Sequence, residues 1–150
     1  MNTHPDFREL LRLLEENNVD YMIVGGYAVA FHGYPRLTKD IDLFFDRTPE
    51  NVALLRKALI AFGFESKDLP EEAFFTKNLL TFGVPPLRVD LLNEIDGVTF
   101  MEARPNIVRG HYGDVSARFI GKTELVKNKR STNRPQDKYD LEELERIFQT

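Results

Sequence analysis

The 150-residue sequence predicts a single α/β domain over residues 1–150, an α+β arrangement with helices packed on a mixed β-sheet. Helical and strand-like patterns alternate through the first 63 residues, and strand-like runs then cluster between 72 and 102. No repeat, linker or low-complexity stretch divides the chain. A domain of this length buries roughly 70% of its unfolded surface, enough for one substantial core.

Each element has a local reason. Phe7, Leu10, Leu11 and Leu14 recur at helical spacing, so residues 6–17 read as an amphipathic helix capped by Asp6. "YMIV" is a short buried strand ending at Gly25-Gly26, and "YAVAFHG" a helix closing near Gly33. "IDLFF" is the second strand. Thr48-Pro49-Glu50 opens a helix that carries Val52, Leu55, Leu59 and Phe62 and stops at Gly63. "AFFTK", "LLTFGV", "LRVDLL" and "VTFMEA" then read as strands, the last two joined by the Asp-Gly turn of "NEIDG". "SARFI" is one more strand. Two helices close the chain, one from Thr123 and one from Pro135 with Leu141, Leu144, Ile147 and Phe148 inward.

Composition removes several classes. With 42% hydrophobic and 29% charged residues the chain is globular, and it has no run long enough to span a membrane. The absence of cysteine excludes disulfides and thiolate metal sites. The first residues lack a basic stretch followed by an apolar one, so the expected location is the cytoplasm. Net charge is −4, yet Lys122, Lys127, Lys129, Arg130 and Arg134 crowd one segment against only Glu124. An acidic chain with one basic patch suggests a local anion site more than general nucleic-acid coating.

The chemistry concentrates in "IVGGYAVAFHGYPRLTKDIDLFF", residues 23–45. Asp40 and Asp42 stand two apart on a greasy strand and therefore share a face. Two carboxylates that close raise one another's pKa unless a cation joins them. Asp90, flanked by Val89 and Leu91, completes a three-carboxylate cluster if its strand lies alongside, although Arg88 on the same face is an alternative partner. Oxygen ligands of this kind suit Mg²⁺ or Mn²⁺, with remaining ligands taken from water and phosphate. Gly25-Gly26 lets the chain turn tightly and approach a ligand, and the helix it opens favours anions. It is neither a P-loop nor a dinucleotide fingerprint.

Taken together, apolar-Gly-Gly, thirteen intervening residues, Asp-Ile-Asp and a later strand Asp resemble the nucleotidyltransferase superfamily typified by DNA polymerase beta. "VGGYAVAFHGYPRLTKDIDLFF" looks most like the small abortive-infection (AbiEii-type) toxin nucleotidyltransferases. The tail "KTELVKNKRSTNRPQDKYDLEEL" is similar to the Arg-Pro-x-Asp-x-x-Asp ending of that group. The likeness runs from about residue 20 to 145.

That resemblance implies a Mg²⁺-dependent enzyme moving a nucleoside monophosphate from an NTP onto a hydroxyl of RNA, protein or a small molecule. Asp40 and Asp42 would hold the metals bridging the triphosphate, and Asp90 would bind the second metal and help deprotonate the acceptor. Gly25 and Gly26 would meet the phosphates through the backbone, and Lys122, Lys129 and Arg130 would hold the triphosphate tail. Tyr27 and Arg36 would flank the pocket. Many members carry Gly-Ser where this chain has Gly-Gly, so one hydroxyl to phosphate is absent. A toxin-like role implies a partner antitoxin, and a homodimer would supply an acceptor cleft. Antibiotic nucleotidylation and a non-catalytic nucleotide- or partner-binding module are the rival readings. His32 and His111 are too isolated for a metal site, Lys39 points to the opposite strand face, and Asp137 and Asp140 fall at the start of the last helix, where they suit its dipole and can orient Lys129, Arg130 or Arg134.

Overall fold

Apolar residues occupy both faces of the central strands, and the architecture follows from that. The computed structural model describes residues 3–35, 38, 40–83 and 88–148. Its strands are β1 (Tyr21–Val24), β2 (Ile41–Phe45), β3 (Leu79–Phe82), β4 (Val89–Leu92), β5 (Val108–Tyr112) and β6 (Val115–Phe119). They form one mixed sheet in the order β3-β4-β2-β1-β6-β5. β1 pairs antiparallel with β2 and parallel with β6, while β2 pairs parallel with β4. β3 and β5 close the two edges in antiparallel pairs.

Period-two alternation sorts the side chains onto two cores. Tyr21, Ile23, Ile41, Leu43, Phe45, Val89 and Leu91 face α1 (Pro5–Glu16) and α3 (Pro49–Phe62), meeting Phe7, Leu10, Leu11, Leu14, Leu55 and Leu59. Met22, Val24 and Phe44 face the other way. There they pack against α2 (Gly25–Phe31), α5 (Phe100–Ala103), α6 (Lys122–Arg130) and α7 (Pro135–Phe148) through Ala28, Val29, Phe100, Leu125 and Leu144. Asp42 has the parity of Phe44, and Asp90 that of Leu92. Both carboxylates therefore belong to the face covered by the C-terminal helices.

Several elements differ from the sequence reading. His4, not Asp6, caps α1: its Nδ1 accepts from the Asp6 amide at 3.1 Å. "AFFTK" is the short helix α4 (Ala73–Thr76), which drives Phe74 into the core against Phe45. "VTFMEA" contains α5 rather than a strand, because Thr99 and Glu102 form a capping box. The Asp96-Gly97 turn survives only as an isolated bridge between Ile95 and Val98. β5 was missed because "VRGHY" is polar and interrupted by glycine, as suits an edge strand. Gly110 is needed there, since a Cβ would come within 2.4 Å of the Phe31 ring. Among the described residues no helix is long and apolar enough to cross a membrane.

Candidate functional site

A cleft of about 460 Å³ opens on the second face of the sheet, between the ends of β1, β2 and β4 and the joint of α6 with α7. Val24, Gly25, Gly26, Asp40, Asp42 and Leu92 line its sheet side, and Asn128, Lys129, Thr132, Arg134 and Asp137 its helical side. Asp42 and Asp90 are direct partners in the parallel β2–β4 ladder, and Val24 stands opposite Asp42 on β1. The ladder that packs the core thus also brings two carboxylates side by side. Burial, then the charge and hydrogen bond of Asp90 and the charge of Asp40, push the Asp42 carboxyl up to about 7, against the opposing pull of Lys129. Near neutral pH the Asp42 carboxyl is therefore only partly ionised.

Gly25 makes this arrangement possible. Its φ of +67° is in the left-handed region, and a Cβ there would lie 2.1 Å from Oδ2 of Asp42. The missing side chain is therefore space that the carboxylate already occupies. Gly25→Ala is expected to displace Asp42 and to lower stability by about 2 kcal/mol, combining left-handed strain with the clash. The check is a melting curve alongside Mn²⁺ binding; an unchanged carboxylate site in the variant would contradict this role.

Asp90 is held from two sides. Thr81 of β3, its neighbour in the ladder, donates to Oδ1 at 2.9 Å. Arg88 donates from Nε to Oδ1 at 3.0 Å and from Nη2 to Oδ2 at 3.3 Å, and its Nε lies 3.7 Å from Oδ2 of Asp40. With Arg88 among them, the carboxylates do not converge as a ready-made cage, and among the described residues no group of three metal-ligating side chains does. The donor set still fits a hard divalent cation: it is oxygen-only, crowded with negative charge, and already retains a proton as a substitute cation.

Of the three basic residues expected near a triphosphate, the structure brings one to the cleft. Lys129 lines it but is buried, donating to Oδ1 of Asp137 at 2.7 Å and lying 3.4 Å from Oδ2 of Asp140. Thr132 also donates to Asp137, at 2.8 Å. Burial pushes the Asp137 carboxyl up, but the bonds from Lys129 and Thr132 and the charges of Lys129 and Arg134 outweigh it and hold it below the usual range. Lys122 lies 5.0 Å over the Phe148 ring, and Arg130 pairs with Glu145 at 2.6 Å. Both border a separate shallow depression with Val126.

Tyr27 turns into the first core, against Phe7 and Tyr112, rather than into the cleft. His32 is buried with Nε2 2.6 Å from the Ile120 carbonyl, and burial keeps its pKa low, so it is structural. Arg36 and Lys39 lie outside the described residues. Sequence reading missed Thr81, Glu94 and Thr132. Glu94 follows Asp90 by four along the chain and had a signal; Thr81 had none without the register.

No protein-family model matches the chain, and no curated protein matches it. Among solved structures it is similar to the crystal structure of the lincosamide antibiotic adenylyltransferase LnuA bound to lincomycin. The TM-score is 0.57 and the identity 17%, over 98% of this chain and 99% of that one. The six-stranded mixed sheet and its helical cover thus have the nucleotidyltransferase fold.

Proposed function

We propose that this protein transfers a nucleoside monophosphate from an NTP to a hydroxyl, with Asp40, Asp42 and Asp90 as its reactive carboxylates. The observation that carries the reading is the Asp42–Asp90 pair, adjacent in the ladder, with Asp42 buried and set against a glycine that yields its side-chain space. Asp40 and Asp42 would hold Mg²⁺ or Mn²⁺, with Asp90 serving a second ion. When bound, the cation neutralises triphosphate charge and lowers the pKa of the attacking hydroxyl. The acceptor oxygen bonds to the α-phosphorus, the bond to the β-phosphate oxygen breaks, and pyrophosphate leaves. Asp90, once released by Arg88, would take the acceptor's proton. The backbone of Gly25 and Gly26 borders the phosphates, and Arg134, with a largely exposed side chain on the cleft wall, joins Lys129 as a candidate for the triphosphate.

A small hydroxylated molecule is the favoured acceptor. A second cavity of about 430 Å³, lined by Phe44, Val98 and Phe100 together with Asp46, Arg47 and Glu102, shares Glu94 and Ile95 with the cleft. A cavity of this volume has room for a drug-sized ligand, with aromatic walls on one side and charged groups on the other. The similarity to a lincomycin-bound adenylyltransferase points the same way. An RNA or protein acceptor in a toxin-like role, with an antitoxin partner, is the second reading. It rests on the sequence resemblance and on the basic border formed by Lys122, Lys127 and Arg130.

The test incubates the protein and Mg²⁺ with each labelled NTP and, separately, hydroxylated small molecules, total RNA or lysate protein. Pyrophosphate release with label on one acceptor class supports transfer and identifies the class. A non-hydrolysable NTP with Mg²⁺ at about 100 times Kd is expected to stabilise the fold by roughly 2.7 kcal/mol, a rise of about 5–10 °C in Tm. That rise without pyrophosphate release from any NTP would leave a nucleotide-binding module. Absence of both effects overturns the reading.

A further inference from the structure

We propose that Arg88 is a built-in counter-cation that competes with the divalent ion for the carboxylate cluster. This rests on the nucleotidyl-transfer reading above. The guanidinium engages both oxygens of Asp90, at 3.0 and 3.3 Å, and reaches to 3.7 Å from Asp40. The Asp90 side chain is 11% exposed, whereas that of Arg88 is 38% exposed. The arginine therefore approaches from the solvent side onto an acid fixed in the sheet, and it can swing away without disturbing a core. Thr81 satisfies Asp90 independently and remains when Arg88 leaves.

The consequence is a threshold. A forked guanidinium–carboxylate contact is among the stronger polar pairs, and a planar fork cannot share both oxygens with a metal. In the nucleotide-free protein a divalent ion must displace Arg88 before Asp90 becomes available. An ion arriving with a triphosphate brings additional oxygen ligands that tip the exchange, so the site fills with nucleotide rather than with metal alone. Arg88 is in this sense a positioning residue: it acts on the carboxylates that act on the substrate.

The decisive measurement is Mn²⁺ binding to the nucleotide-free protein, followed by electron paramagnetic resonance. Arg88→Gln is expected to bind Mn²⁺ at least tenfold more tightly than the parent, and Arg88→Lys, which keeps the charge but not the fork, two- to threefold more tightly. In Arg88→Ala, methylguanidinium should weaken Mn²⁺ binding back toward the parental value while leaving the parent unaffected. Melting curves establish that each variant is folded. If the parent binds Mn²⁺ and all three variants bind it equally, Arg88 is only a structural partner of Asp90 and the proposal fails while the transfer reading stands. If neither parent nor variants bind Mn²⁺, even with a non-hydrolysable NTP, both fail together.

Discussion

Asp42→Asn is expected to leave a folded protein that has lost at least a thousandfold in nucleotidyl transfer, about 4 kcal/mol of transition-state stabilisation. The substitution keeps side-chain volume and removes the charge that a cation needs. Without divalent ions the same variant is expected to melt higher than its parent, by an amount that depends on pH. The folded carboxyl titrates near 7 and the unfolded one near 3.9. Below pH 4 both states hold the proton and the group costs nothing. Between pH 4 and 7 the unfolded chain ionises while the folded one retains its proton, so the parent loses stability as pH rises; above 7 the penalty is constant. A gap of roughly three pH units is worth about 4 kcal/mol. Because asparagine remains a buried polar group, about half is recovered, some 4–8 °C in Tm at pH 7–8 and almost none at pH 4. A gain that is flat with pH would show that Asp42 does not carry the buried charge.

The other large effect lies in the helical wall. Lys129→Met is expected to lower stability by about 3–5 kcal/mol, on the order of 10 °C, because buried Asp137 and Asp140 lose the cation they share, while their bonds from Thr132 and Gln136 remain. Combining it with Asp137→Asn and Asp140→Asn should recover much of the loss, since the buried negative charges disappear with the lysine. Calorimetry of the single and triple variants decides. A Lys129→Met protein that melts like the parent and shows only a raised KM for NTP would make Lys129 a free phosphate ligand rather than the fastener of α6 to α7.

What could be read from sequence divides along physical lines. Asp40, Asp42 and the glycines were legible because strand periodicity and a φ-permissive residue are local properties. Asp90 was legible as a candidate only, since its meeting with Asp42 depends on a parallel pairing across 48 residues of chain. The two outcomes for Arg88, metal-site neighbour or ion-pair partner of Asp90, were both visible, and the contact geometry selected the second for the metal-free state. Asp90→Asn would therefore weaken the pair with Arg88 and the bond from Thr81, whereas Asp42 is the strained member. Lys129 was grouped with Lys122 and Arg130 as a ligand of the triphosphate tail because nothing in "KNKRSTNRPQD" signals which of its bases is buried. The strand at Val108 was invisible because edge strands need neither alternation nor apolar content. The capping box at Thr99, by contrast, was present in the letters and was outweighed by a strand-like run.

The position of β1 has a consequence for how the chain is made. This strand lies at the centre of the sheet, and one of its two neighbours is β6, about 100 residues further along the chain. At 5–20 residues per second, translation takes roughly 5–20 s to supply that neighbour after β1 has emerged. For that interval "YMIV", apolar on both faces, offers an open row of backbone donors and acceptors to any other extended segment nearby. Arg134 and Asp137 are made later still, so the nascent chain holds its carboxylates before it has the helical wall of the cleft. Yield on expression should therefore respond to translation rate and to chaperone supply more steeply than the stability of the finished fold would suggest.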